Sequence, residues 1–140
     1  TCKINVKEAE HGDKLQPGWA YIAPGDQHLS VVKKAGGLFC QLDSSDLVNR
    51  HRPAVDVLFH SLVVACPKAT VAAILTGMGS DGAKGMLALN QAGAYTIAQD
   101  ELSSVVWGMP KAAVELNAAN EVVRLDKVAA QMLKQAAKVQ

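Results

Sequence analysis

The sequence predicts an α/β fold: a doubly wound, mainly parallel sheet with a β-hairpin inserted before it. Two observations carry this. From residue 53 onward, helical periods alternate with short apolar runs, and those runs are continuous rather than alternating, as in strands buried on both faces. Before residue 53, two strand-like runs flank the glycine-containing stretch "KKAGG", which reads as a hairpin.

In order along the chain, "KINVKE" alternates, with Ile4 and Val6 on one side and Lys3, Asn5 and Lys7 on the other, and predicts a half-exposed strand. "GWAYIAP" is a short apolar run that stops at the turn signal "PGD". "LSVVKKAGGLFCQL" is the hairpin, and "DSSDLVNRHRP" is a polar, irregular loop. "PAVDVLFHSLVVAC" changes period. Val55, Leu58, Phe59, Leu62, Val63 and Cys66 recur at helical spacing and define one apolar face, with Pro53 at the start and Pro67 as the stop.

"TVAAILTG" then predicts a buried strand, and "GAKGMLALNQAG" a helix ended by Gly93. "AYTIAQ" is a strand, and "SSVVWGMP" a short extended run in which Trp107 reads as core or rim packing. "PKAAVELN" is a helix opened by Pro110, and "EVVRL" a strand. Asp126 is placed to cap the last helix, "KVAAQMLKQAAK". No linker or internal repeat divides the chain.

Composition narrows the function classes. The chain has 140 residues, 49% apolar and 19% charged, with a formal net charge of +1. That suits one globular domain. The charge balance gives no reason to expect nucleic acid as a partner, and no apolar run reaches the roughly 18 residues of a membrane span. Cys2, Cys40 and Cys66 are widely spaced and odd in number, which argues against a disulfide framework and fits a reducing cytoplasm. No histidine pair has ligand spacing with a nearby acid, so no metal site is expected.

The stretch "ILTGMGSDGAKG" carries the chemistry. Gly77, Gly79 and Gly82 fall at G-x-G-x-x-G spacing between a strand and a helix, with Asp100 and Glu101 after the next strand, as a dinucleotide fold would require. Asp81 lies inside that turn, where its charge would repel a phosphate. A turn presenting a carboxylate is the competing reading, and there Asp81 either caps the following helix or orients a histidine. The residues of this stretch alone leave both open.

Several motifs stand together in order: "YIAPGDQH", "VNRHRPAVDVLFHS", "ILTGMGSDGAKGM", "QAGAYTIAQDE" and "VVWGMPKAA". In this series the chain resembles the catalytic domain of the bacterial chemotaxis protein-glutamate methylesterases, over nearly its whole length. The resemblance implies a serine hydrolase on a doubly wound α/β sheet. Its reaction would be hydrolysis of glutamate methyl esters on chemoreceptor cytoplasmic helices, with methanol released and some glutamines deamidated, without a cofactor. It maps the triad aspartate to Asp81 and a backbone oxyanion donor to Met78, with Gly77, Gly79 and Gly82 shaping the turn. Arg50, His51 and Arg52 in "NRHRP" are either a candidate substrate rim or a solvated basic loop, and the residues leave both open.

The serine and histidine motifs of the family precede the region that begins here, and nothing in residues 1–140 matches them. With Thr1 rather than Met first, the expectation is the C-terminal part of a single catalytic domain. It would lack the N-terminal strands and the preceding receiver domain, carry one triad member of three, and be inactive alone. The receiver domain and the missing catalytic part are then expected partners. A non-catalytic receptor- or partner-binding module is the alternative. Internal substitutes are poor. His60 and Ser61 are adjacent on a helix, and their side chains diverge. His60 reads as a surface partner of Asp56, and His11 and His28 read as surface residues beside turns.

Overall fold

The computed structural model describes residues 3–139. Parallel strands β1 (Asn5–Glu8) and β2 (Trp19–Ile22) pair in register from Asn5 opposite Trp19 to Glu8 opposite Ile22. The hairpin follows as β3 (His28–Lys34) and β4 (Gly37–Asp43), antiparallel, with His28 opposite Asp43. After a loop come α1 (Val55–Ala65), β5 (Val71–Ile74), α2 (Ala83–Gln91), β6 (Tyr95–Gln99), α3 (Met109–Glu115), β7 (Glu121–Val123) and α4 (Leu125–Ala136). Strands β5, β6 and β7 form a parallel sheet in that order. The α/β architecture with an inserted hairpin matches the sequence expectation. The parallel strands fall into two separate groups, β1–β2 and β5–β6–β7, rather than one continuous sheet.

Alternation along β5 sorts its side chains between two faces. Ala72 and Ile74 are buried in a core with Phe59, Met86, Leu89 and Ala113, contributed by α1, α2 and α3. Val71 turns the other way and lines a groove with Met132, Leu133 and Ala136 of α4. The sheet is therefore covered on both faces, which is why β5 and β6 read as continuous apolar runs. A second core of Ala9, Leu29 and Cys40 lies beneath the hairpin.

Four local expectations need correction. Pro53 is not the first helical residue: Ala54 flanks α1, Val55 begins it, and Pro53 lies one residue further out. Asp126 is the second residue of α4 and makes no capping bond; it pairs with Arg124 at 3.4 Å. His28 is fully buried, not a surface residue. Its Nδ1 accepts from the Ala54 N–H at 3.3 Å, so Nε2 carries the proton donated to the Asp46 carbonyl at 2.9 Å. Asp56 is buried at 5% exposure and makes no pair with His60. The apolar periodicity of α1 hid it, because its carboxylate satisfies a neighbouring helix rather than solvent.

Candidate active site

The glycine turn leaves the carboxyl end of β5, the edge at which parallel α/β sheets bind ligands. It is pinned from one side by the segment after β6. Gly77 N–H donates to the Val106 carbonyl at 3.0 Å, and the Gly77 carbonyl accepts from Met109 N–H at 2.8 Å. Buried Gln99 accepts from Thr76 N–H at 2.7 Å through Oε1, and Trp107 Nε1–H donates to the Gln99 carbonyl at 3.0 Å. Trp107 is thus a half-buried strut of the turn. Gly108 is a residue that sequence reasoning missed. A Cβ there would stand 2.7 Å from the Gly77 carbonyl oxygen and 3.0 Å from Gly79 N, both backbone atoms that cannot swing aside.

The turn ends at Gly82, whose φ of +94° and 2.8 Å approach of a notional Cβ to Val55 both require glycine. That close approach brings the residue before it, Asp81, against the start of α1. Asp81 is 6% exposed. Its Oδ2 accepts the Val55 N–H at 2.7 Å, and Oδ1 accepts the Asp56 N–H at 3.1 Å. Asp81 therefore caps a helix, but not the one that follows it in sequence. It caps α1 across space, where Ala54 offers no capping side chain, and its charge sits at the positive end of that helix. Asp56 returns the arrangement. Its Oδ1 accepts the Gly85 N–H in the first turn of α2 at 2.7 Å.

Between the two carboxylates stands Asn49, whose Nδ2 donates to Asp56 Oδ2 at 2.6 Å and to Asp81 Oδ1 at 2.9 Å. The sequence assigned it only to an irregular loop. The loop holds a tight turn in which Val48 and His51 exchange backbone hydrogen bonds.

A cleft of about 580 Å³ opens between residues 49–51 of this loop and residues 78–81 of the glycine turn. The structure brings Arg50, His51, Met78, Gly79 and Asp81 together there. Arg52 turns elsewhere: its guanidinium pairs with Asp26 at 2.7 Å and donates to the Ser44 and Ser45 carbonyls, so it braces the loop. Met78 is 80% exposed, and its N–H donates to no described residue. Ser61 is committed to the fold, since its Oγ accepts from Val31 N–H and donates to the Leu58 carbonyl. Asp100, which a ribose would need, is tied to Ser103 N–H and Oγ at 3.0 and 2.6 Å.

A cleft walled by a glycine turn that buries a carboxylate held by N–H donors does not suit phosphate binding. Comparison with known proteins decides the family. The family described as CheB methylesterase matches residues 1–132. The chain belongs to that family. It is 53% identical over 135 residues to protein-glutamate methylesterase/protein-glutamine glutaminase 2 of Saccharophagus degradans, covering 96% of this chain and 39% of the relative. The Salmonella typhimurium protein-glutamate methylesterase/protein-glutamine glutaminase is 52% identical over 94% of this chain and 38% of its own length. The crystal structure of the Thermotoga maritima CheB methylesterase catalytic domain superposes with a TM-score of 0.89 at 41% identity, covering 92% of this chain and 68% of that domain. This CheB-family chain thus spans about two fifths of the curated relatives it matches and about two thirds of the catalytic domain.

Proposed function

We propose that this chain supplies the acid arm of a protein-glutamate methylesterase, acting on glutamate methyl esters of chemoreceptor cytoplasmic helices and deamidating glutamines at the same site. Residues 1–140 are read as the C-terminal part of one catalytic domain, with the serine and histidine outside them, in a protein of the cytoplasm. Membership of the CheB methylesterase family supports this reaction. The observation that carries the residue assignment is the Asp81 carboxylate, buried at the cleft and fixed by three N–H donors.

In this reading Asp81 accepts the Nδ1–H of the histidine and holds its other nitrogen toward the serine hydroxyl. The serine oxygen attacks the ester carbonyl while the histidine takes its proton. Charge on the carbonyl oxygen is met by the Met78 N–H. The histidine returns the proton to the departing methoxide, methanol leaves, and water hydrolyses the acyl-enzyme to the glutamate carboxylate. An amide substrate runs the same course with ammonia leaving. Arg50 and His51 form the rim over which the receptor helix lies. A receiver domain ahead of the catalytic domain is the proposed regulatory partner.

Methanol release from methylated receptor fragments tests this reading. The full-length protein is expected to release methanol and residues 1–140 alone to release none. Equal release by both would place the nucleophile within the chain and remove the assignment.

A further inference from the structure

We propose that Asn49 is a positioning residue for Asp81, a role that rests on reading Asp81 as the histidine-orienting acid. Three observations meet at this side chain. The first is its backbone. Val48 N–H donates to the His51 carbonyl at 3.0 Å, and His51 N–H donates to the Val48 carbonyl at 2.8 Å. The two residues between them, Asn49 and Arg50, have φ of +53° and +66°. This is a two-residue turn with both central residues left-handed, a conformation that asparagine tolerates and arginine adopts at a cost. The strained turn delivers the Asn49 amide to one place.

The second observation is what lies there. The amide nitrogen carries two protons, and it donates to two different carboxylates, Asp56 at 2.6 Å and Asp81 at 2.9 Å. Both acids are buried. Neither belongs to an ion pair among the described residues. One neutral amide therefore bridges two buried carboxyl groups. Asp56 is itself anchored to α2 through Gly85 N–H, so the chain Gly85–Asp56–Asn49–Asp81 fixes the plane of the Asp81 carboxylate.

The third observation is a count of acceptor sites. A carboxylate offers about four. Oδ1 of Asp81 accepts from Asp56 N–H and Asn49, and Oδ2 accepts from Val55 N–H. The one site left is on Oδ2, and that is the oxygen a histidine N–H would meet. Without the Asn49 bond, Oδ1 also has a free site, the carboxylate has two ways to receive the ring, and the histidine loses its single orientation.

The test uses the full-length protein. Asn49→Gly keeps the left-handed turn and removes the donor. It is expected to lower kcat about ten- to a hundred-fold, as for loss of one hydrogen bond to a charged group, with KM within about two-fold. Asn49→Asp keeps the shape but adds a third carboxylate, and is expected to lose more. In the Asp81→Asn background, Asn49→Gly is expected to cost nothing further. A wild-type kcat for Asn49→Gly would overturn the inference, since shaping the turn would then be the residue's whole role. An independent measurement follows the Asn49 side-chain amide protons by NMR. Slow exchange with solvent, lost in Asp81→Asn, supports the bridge, and free exchange in the wild type overturns it whatever the reaction. Absent methanol release with protected amide protons would count against the methylesterase reading alone and leave the bridge standing.

Discussion

Asp56 and Asp81 exchange helix caps. Asp81, separated from the start of α2 only by Gly82, accepts the first two N–H groups of α1, and Asp56, in the first turn of α1, accepts the Gly85 N–H of α2. Asp81 thus satisfies donors orphaned at the start of α1, and Asp56 one orphaned at the start of α2. The exchange locks the two helices that flank the cleft, so the residue proposed as the triad acid is also a structural joint. Asp81→Ala is expected to destabilise the fold by about 1–3 kcal/mol, the range for orphaned buried donors. Urea denaturation of the variant measures it. An unchanged midpoint would mean that water replaces the carboxylate and that the joint is weak.

Gly85 faces the same joint. A Cβ there would lie 2.7 Å from Phe59 Cβ and 2.8 Å from Asp56 Oδ1. Alanine is favoured over glycine in a helix interior by about 1 kcal/mol, yet Gly85→Ala is expected to lower Tm because the crowding of the cap outweighs that preference. A raised Tm would show that α1 and α2 can move apart without cost.

Gly108→Ala is expected to act on the cleft rather than on stability alone. The added carbon would push on the Gly77 carbonyl and on Gly79, displacing the turn that carries Met78 and Asp81. A fall in kcat larger than the fall in the folded fraction checks this. Retained kcat would show that the turn tolerates the shift.

Much of this arrangement was legible in the sequence, and the reasons for the rest are local. Period changes located the hairpin, α1 and the β5–α2 unit, because burial on one face or two leaves a regular trace. The positive φ at Gly79, Gly82 and Gly93 matches where the sequence placed turns and stops. Asp56 and His28 were misplaced for one reason: each polar group is buried by satisfying a backbone group far away in sequence, Gly85 for Asp56 and Ala54 for His28. No spacing rule carries such a partner. Asn49 had a weak signal, since asparagine favours the left-handed turn, but "Asn-Arg" lacks the glycine that would have marked it. Arg52 shared its motif with Arg50 and His51, and only the position of Asp26 explains why it turns from the cleft.

Stability is expected to fall in acid through identified carboxylates. The Ser103 hydroxyl and N–H hold Asp100 below the usual carboxylate range, and the Ser45 hydroxyl and N–H do the same for Asp43. A depressed folded-state pKa stabilises the fold above the unfolded value of about 3.9, and the contribution is lost as pH falls through the lower folded value. Tm measured from pH 2 to 6 should therefore drop below about pH 4, and less steeply in Asp100→Asn. Identical slopes would show that these exposed bonds are too weak to matter.

The thiols should react unequally. Burial pushes the Cys40 thiol above its ordinary value, while Cys66 is only half-buried. Alkylation at neutral pH is expected to modify Cys66 well before Cys40, read by mass spectrometry of the native protein. Faster modification of Cys40 would mean that the hairpin core opens readily.

The measurement closest to the central claim is methanol release from methylated receptor fragments by the full-length protein and its Asp81→Asn variant, both confirmed folded. If Asp81 orients the catalytic histidine, turnover should fall by about ten-thousand-fold with substrate binding retained. Turnover within a few-fold of wild type would contradict the account and reduce Asp81 to the helix cap that its hydrogen bonds already make it.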